Sequence, residues 1–164
     1  VQCGFSVTFP QAIARGDLDL ALFADSDKNQ WSDAVFSEKL VWAASRNYQS
    51  DRREPVPLAV FDRACEWRDI ATDALKAVKT PCRIVLSSES VTGIMASIST
   101  GLAVGVIAES TLQPGMKILD HRDGFPGLPN SVLRLLKGTK QSPAIKAMED
   151  AITRGFGHSA TKPT

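Results

Sequence analysis

The sequence predicts an α/β fold arranged as two lobes on one chain. Between Leu58 and Ile107, short apolar runs alternate with segments whose apolar residues recur at helical spacing. Strands that alternate with helices normally pair in parallel through right-handed crossovers. Longer extended segments flank this region, and 164 residues are enough for one domain or two small lobes. We therefore predict a discontinuous first lobe, residues 1–42 with 109–164, and a second lobe, residues 43–108.

The first lobe is predicted to open with a helix and a strand. Pro10 to Arg15 has the pattern of a short helix, because proline is favoured in a first turn and Gly16 can end a helix in the left-handed conformation. The apolar run Leu18 to Phe23 indicates a buried strand. A second strand, Val35 to Ala44, is long enough to cross between lobes. Arg46 to Pro57 is polar and contains proline, so we expect a loop there.

Periodicity and capping residues predict the remaining elements. Ser90 and Gly101 are suited to begin and end one helix, and Ser142 with Pro143 opens the last one. The helical faces comprise Trp67, Ile70, Ala71, Ala74, Leu75 and Val78 in a helix from Glu66 to Val78, and Val91, Ile94, Met95 and Ile98 in the next. The other predicted strands are Leu58–Phe61, Cys82–Leu86, Ala103–Ala108, Met116–Leu119 and Ser131–Leu136.

Charge and hydropathy argue against two classes of protein. Lys and Arg number 19 and Asp and Glu 18, so the net charge is +1, whereas a dedicated nucleic-acid surface usually has a basic excess. No stretch approaches the roughly 20 apolar residues of a membrane span. Val1 to Ser6 lacks the basic start and apolar run of an export signal.

The cysteines and histidines predict neither a disulfide scaffold nor a metal site. Cys3, Cys65 and Cys82 form no CxxC pair, and an odd count is unusual for a disulfide framework. A reducing cytoplasm is therefore the expected location. His121 and His158 stand apart from other metal ligands, so we expect surface roles for both and no metal or cofactor.

Several short motifs follow one another in an order that is shared with one protein family. They are GDLDLAL at 16–22, EKLVW at 38–42, PLAVF at 57–61, CEWR at 65–68, GLAVGV at 101–106 and GFPGLP at 124–129. Each motif is weak alone, but the order and spacing together are specific. From Gly4 to Ile152, the chain resembles the effector-binding domain of LysR-type transcription regulators.

The resemblance implies a periplasmic-binding-protein-like (type 2) fold with a ligand cleft between two lobes. A small-molecule effector would bind in the cleft, and the sensor would form a homodimer or higher oligomer, in part through the helix at Val91 to Thr100. The family contacts DNA through an N-terminal winged helix-turn-helix that has no counterpart in these 164 residues. The resemblance also aligns Val1 with about the second strand of the family's sensor domain.

Candidate effector-binding residues follow the predicted strands, because ligands of open α/β sheets bind beyond the carboxyl ends of strands. The resemblance implies a strand that ends near Cys3, so Phe5 and Ser6 follow its end, and it implies a hydroxyl contact from Ser6 to the effector. Pro10 lacks the amide that a helix starting at Ser6 would need, so an irregular turn is expected. Phe61 and Ser88 follow the first two strands of the second lobe. Ser90 is suited to cap the next helix, so Ser88 is the better candidate for contact with the effector.

The start of the predicted Glu66 helix supplies the other candidates. Its first-turn amides could bind an anion, and Arg68 could add a bidentate contact to a carboxylate. Glu66 would instead favour a neutral or cationic effector. Trp67 also fits a core position, Arg68 a surface salt bridge, and Cys65 a small buried residue rather than a reactive thiol.

Two other functions share these observations. An enzyme is the first, but the sequence has no G-x-S-x-G elbow or phosphate-binding glycine loop, and both histidines lie far from Cys65 in sequence. A solute-binding protein of a transporter is the second, and it would share the lobes while normally carrying an export signal. We therefore predict a regulator's sensor domain rather than an enzyme.

Overall fold

A computed structural model of the chain describes residues 6–25, 33–51, 54–62 and 65–157. In chain order, the strands are β1 (Leu20–Asp25), β2 (Asp33–Ser45), β3 (Val56–Phe61), β4 (Cys82–Ser88), β5 (Val104–Ala108), β6 (Met116–Leu119) and β7 (Asn130–Lys137). The α-helices are α1 (Phe9–Arg15), α2 (Glu66–Ala77), α3 (Val91–Ser99) and α4 (Pro143–Gly157). The mixed α/β class is as predicted.

The chain divides into two compact units. The first comprises Val1–Glu38 with Asn130–Thr164, and the second comprises Lys39–Pro129. The strand β2 contributes residues to both units. The predicted extent of the two lobes, 1–42 with 109–164 and 43–108, stays a prediction.

In the first unit, proline and glycine set the limits of α1. A short 3-10 turn, Ser6–Thr8, precedes the helix, and Pro10 lies in its first turn, where the missing amide N–H costs little. Gly16 ends it at φ 75°, and its amide donates to the carbonyls of Ala12 and Ile13. The expected irregular turn and helix end are both found.

Two ion pairs join the elements of the first unit. The strand β1 pairs antiparallel with β7, which lies between β1 and β2. Lys137, at the end of β7, contacts Asp33 of β2 and Glu149 of α4, each at 2.8 Å between Nζ and a carboxylate oxygen. The Asp33 and Glu149 carboxylates raise the pKa of Lys137.

Ser142 caps α4 by accepting from the Ile145 amide at 3.2 Å, as predicted.

The second unit contains the parallel pairs that the strand–helix alternation predicts. The strand β3 pairs in parallel with both β4 and β5, while β2 is antiparallel to β5 and to β6.

The predicted loop from Arg46 to Pro57 ends earlier than expected, because Val56 and Pro57 belong to β3. The Val56 amide donates towards β4, to Pro81, so the position of the missing Pro57 amide faces β5. Pairing with β5 begins only at Leu58, and the proline therefore breaks no sheet hydrogen bond.

Helices cover both faces of this sheet. Ala71 and Leu75 of α2 pack with Leu58 and Val60 on one face. On the other face, the apolar residues of α3 pack with Ala59; these are Ile94, Met95 and Ile98. The predicted helical faces are correct except at their ends, because Val78 is 48% exposed and Val91 is 57% exposed.

Trp42 fixes the loop that leads to β7. Its indole is 2% exposed, and it packs in the same cluster as α2. The ring lies 5.3 Å from that of Phe125, and its Nε1 donates to the Pro126 carbonyl at 2.8 Å. The buried donor is thereby satisfied.

The close approach of β5 to α3 generates a stability prediction. A Cβ on Gly105 would lie 2.7 Å from Ile98 Cδ1 and 3.3 Å from the Ala59 carbonyl oxygen. We expect Gly105→Ala to lower the free energy of unfolding by about 1–3 kcal/mol through overpacking. Urea denaturation measures the change. Gly127→Ala is the control, because a Cβ there meets nothing within 4 Å. Equal stabilities of the two variants would contradict the expectation.

Candidate functional site

The carboxyl ends of β3 and β4 lie side by side in the second unit. Phe61 and Ser88 are partners in the parallel register, and the amide of Asp62 donates to the Ser88 carbonyl at 3.1 Å. The helix α2 begins five residues after Phe61, and α3 begins three residues after Ser88. Most of the predicted site residues therefore come together at one edge of this sheet.

Cys65 forms the junction between β3 and α2. Its amide donates to the Asp62 carbonyl at 2.9 Å, and its own backbone is extended, with φ −111° and ψ 122°, at the N-cap position. Burial raises the pKa of the Cys65 thiol, although the amides of Trp67 and Arg68 act in the opposite direction. Burial therefore disfavours the Cys65 thiolate, although the residue is only partly buried.

Phe61 and Trp67 form an aromatic pair beside the helix start. Their ring centroids lie 5.7 Å apart with an interplanar angle of 80°, an edge-to-face contact. Trp67 packs against the cluster on the α2 face and Phe61 against the cluster on the α3 face, and both remain partly exposed. The pair connects the two faces at the end of β3.

Arg68 bridges α2 to both strand ends. Its Nη1 donates to the Phe61 carbonyl at 3.3 Å and to the Ser87 hydroxyl at 3.0 Å. Both acceptors are neutral groups of this chain. The predicted contact of Arg68 with an effector's carboxylate stays a prediction. Ser87 was absent from the predicted site. The sequence pattern of a strand does not show which of its serines lies next to Arg68, 19 positions earlier in the chain.

Ser88 and Ser90 organise the start of α3. The Ser88 Oγ accepts from the Ser90 amide at 3.0 Å, and the Ser90 Oγ accepts from the Gly93 amide at 3.4 Å. The predicted N-cap role of Ser90 is confirmed. Gly93 keeps this turn compact, since a Cβ there would lie 3.1 Å from the Ser88 Oγ.

Glu66 gives the site its opposing charge. It lies partly buried in the first turn of α2, where Asp69 is the second acidic residue. Carboxylates at a helix N-terminus interact favourably with the helix dipole. The first turn therefore combines two negative side chains with the positive charge of Arg68.

The remaining candidates belong to the first unit. Phe5 lies outside the described residues, and Ser6 begins the 3-10 turn that precedes α1. The side-chain role of Ser6 therefore stays a prediction.

Two surface cavities in the second unit are lined by other residues. One of about 270 Å³ lies beside the last turn of α2 and the start of β3, where Lys79, Val56 and Asp123 line it. The other, of about 190 Å³, is mainly apolar and lies against Trp42, Leu119 and Phe125. Neither cavity includes the residues at the ends of β3 and β4.

Within the described ranges, no group of three or more His, Cys, Asp or Glu side chains could hold a metal ion. Among the same residues, no helix is both long and apolar enough to cross a membrane.

Comparison with known proteins decides the family. The model of the LysR substrate binding domain matches residues 1–157 of the chain. The chain belongs to this family.

Curated relatives in the family are regulators of transcription. The HTH-type transcriptional regulator PecT of Dickeya dadantii (strain 3937) is 24% identical over 126 residues, which cover 77% of this chain and 40% of PecT. The HTH-type transcriptional regulator DgdR of Burkholderia cepacia is 25% identical over 129 residues, covering 79% of this chain and 44% of DgdR. The chain therefore spans less than half the length of these relatives.

Solved structures share the fold at low sequence identity. The apo regulatory domain of HypT from Salmonella typhimurium superposes with a TM-score of 0.79 at 12% identity, covering 98% of this chain and 82% of that domain. The effector binding domain of QuiR in complex with shikimate gives a TM-score of 0.65 at 14% identity, over 94% and 79% of the two chains. The predicted periplasmic-binding-protein-like (type 2) fold class is confirmed.

The neutral state of Cys65 can be tested by alkylation. Because the thiolate is the nucleophile and burial raises the thiol pKa, we expect iodoacetamide to label Cys65 several-fold more slowly in the folded chain than in urea. The labelling rate of Cys65 increases with pH as the thiolate forms, and in the folded chain this increase should occur at a higher pH than in the unfolded chain. Peptide-resolved mass spectrometry separates Cys65 from the other cysteines. Equal rates in folded and unfolded chains would show that Cys65 is an accessible, ordinary thiol.

Proposed function

We propose that this chain is the effector-sensing domain of a LysR-type transcription regulator, located in the cytoplasm. The observation that carries the proposal is the family match across residues 1–157. The matched part of PecT and DgdR is less than half of each regulator. DNA contact then belongs to an N-terminal helix-turn-helix outside these 164 residues, in keeping with their net charge of +1.

A regulator's sensor is favoured over an enzyme by the chemistry of the strand ends. The thiol of Cys65 is disfavoured as a thiolate, and Arg68 binds neutral internal acceptors. These groups suit reversible recognition of a ligand. A solute-binding protein of a transporter would share the fold, and the coding sequence upstream of Val1 discriminates the two. A helix-turn-helix there supports the regulator, whereas an export signal supports the transporter.

We propose that the effector carries an anionic group, and that this group binds at the first turn of α2. The helix dipole favours negative charge at a helix start. The amides of Trp67 and Arg68 already contact Cys65, so the dipole and the Arg68 side chain carry the proposal. Arg68 supplies a positive charge in the same turn. Its two internal hydrogen bonds both use Nη1, and a guanidinium has further N–H donors on its other nitrogens.

Aromatic and hydroxyl groups surround the proposed anion site. The partly exposed rings of Phe61 and Trp67 offer apolar contact next to the helix start, and Ser88 lies at the end of the neighbouring strand. The carboxylates of Glu66 and Asp69 lie in the same turn and oppose an anion. We therefore propose a ligand whose charged group meets Arg68 and whose remaining surface contacts the aromatic pair.

The sensing function is tested with the full-length protein that contains this chain. A melting-temperature screen with small carboxylates and aromatic compounds should find a ligand that stabilises the folded protein. That ligand should change transcription from the regulator's own promoter in a reporter strain. Chemical conversion of the ligand by the protein, detected by mass spectrometry, would instead favour an enzyme. A screen without any stabilising compound would count against the anion proposal.

Two substitutions separate an anionic effector from a cationic one. Removing a charge-assisted contact costs about 1.5–3 kcal/mol, so we expect Arg68→Ala to weaken binding of the ligand from that screen roughly 10- to 100-fold. Glu66→Gln should leave binding equal or tighter, because it removes a repulsive charge. Isothermal titration calorimetry measures both.

Arg83→Ala is the matched control, since Arg83 is exposed near the other end of β4. It should leave the dissociation constant unchanged. The anion proposal is wrong if Arg68→Ala has no effect while Glu66→Gln abolishes binding.

We also propose that the sensor self-associates through the exposed side of α3. Val91 is 57% exposed, and Thr92, Ala96 and Ser99 are exposed on the same helix. Small and apolar side chains such as these allow close packing against a second copy.

A charge on α3 should therefore weaken the dimer. Carboxylates introduced on both copies near an interface repel each other and lose solvation, so Val91→Glu should raise the dimer dissociation constant by roughly tenfold or more. Analytical ultracentrifugation of the full-length protein measures it. Val78→Glu, at an exposed valine just after α2, should have no effect. Equal association of the two variants would exclude α3 from the interface.

A further inference from the structure

Three hydrogen bonds, connected through the backbone of residues 87–90, join the start of α2 to the start of α3. The first begins at Arg68, whose Nη1 donates to the Ser87 hydroxyl at 3.0 Å. Ser87 is bonded to Ser88, whose hydroxyl accepts from the Ser90 amide at 3.0 Å. Ser90 in turn accepts from the Gly93 amide at 3.4 Å. Every link is polar, local and confined to the second unit.

The first turn of α3 is largely exposed. Val91 and Thr92 are exposed, and the first fully buried residue of the helix is Ile94. Few apolar contacts therefore hold this turn, and such segments open more readily than a packed core. Local hydrogen bonds restrain it: the Ser90 hydroxyl accepts from Gly93, the Ser90 carbonyl accepts from the Ile94 amide at 3.1 Å, and the Ser88 hydroxyl accepts from the Ser90 amide.

Arg68 also restrains the strand end from a second direction. The same Nη1 that reaches Ser87 donates to the Phe61 carbonyl at 3.3 Å. Because Phe61 and Ser88 are register partners, the guanidinium spans the ends of β3 and β4 together. Movement of Arg68 would act on the peptide that leads directly into the α3 cap.

We infer that Arg68 is a positioning residue that couples the start of α2 to the first turn of α3 through Ser87. The inference rests on the proposed function for its biological meaning: an effector that engages Arg68 changes the order of α3, the surface proposed for self-association. Coupling between two sites is reciprocal, so association at α3 also changes the effector affinity at α2. The contiguous contacts supply a physical route.

The coupling is measurable without an effector. Hydrogen–deuterium exchange of the full-length protein is followed in peptides that cover residues 88–95. Losing one net hydrogen bond should open this turn more often, so Ser87→Ala should speed exchange there roughly three- to tenfold. Ser87→Thr keeps the hydroxyl and should stay close to the original protein. Ser142→Ala is the control, because that serine hydroxyl accepts from the Ile145 amide at the start of α4, in the first unit.

A double-mutant cycle assigns the effect to Arg68. Arg68→Met should speed exchange as Ser87→Ala does, and the double variant should exchange no faster than either one, because both remove the same contact. Unchanged exchange in Ser87→Ala, or additive effects in the double variant, would overturn the inference. If Arg68→Met does not fold, the difference between Ser87→Ala and Ser87→Thr decides the question. Failure here leaves the effector screen unaffected, so the two proposals fail separately.

Discussion

The second unit depends on the parallel pairing of β3 with both of its neighbours. Parallel strands need crossover connections, and here the crossovers are α2 and α3, one on each face of the sheet. Each helix must therefore begin close to where a strand ends. That constraint collects the amides of two helix starts, the aromatic pair and the serines of β4 at one edge, although these groups are spread along the chain from Phe61 to Ser90.

Polar groups at this edge already have internal partners, and that shapes what can bind. Arg68 is held by a carbonyl and a hydroxyl, Ser88 by the next turn, and the Cys65 thiol is neutral. A ligand that replaces these internal hydrogen bonds with its own gains little binding free energy, unless its own acceptor is charged. Charge-assisted hydrogen bonds are about twice as strong as neutral ones, so a carboxylate can compete for a guanidinium where an alcohol cannot. In the proposed anion site, Glu66 and Asp69 in the first turn of α2 would oppose anions that do not contact Arg68.

Local signals in the sequence predicted local structure well. Gly16, Ser90 and Ser142 end or begin helices through backbone and side-chain bonds within a few residues, and each behaves as its residue type predicts. Interactions between distant residues were less predictable. The contact of Arg68 with Ser87 depends on strand register, and the tolerance of Pro57 in β3 depends on where pairing with β5 begins. Helical periodicity also overstated burial at Val78 and Val91, because a pattern does not reveal where the covering sheet ends.

The division of the chain has a consequence for its synthesis. Residues 39–129 form one uninterrupted unit, whereas the other unit combines the residues before 39 with those after 129. A ribosome delivers the inner unit whole, and it can fold as soon as it emerges, since domains generally fold as units in order of synthesis. The strand β1 must wait for its partner β7, which lies more than a hundred residues later. Until then β1 remains an unpaired strand, which is the state in which nascent chains aggregate. Chaperone dependence should therefore be concentrated in the segment that contains β1.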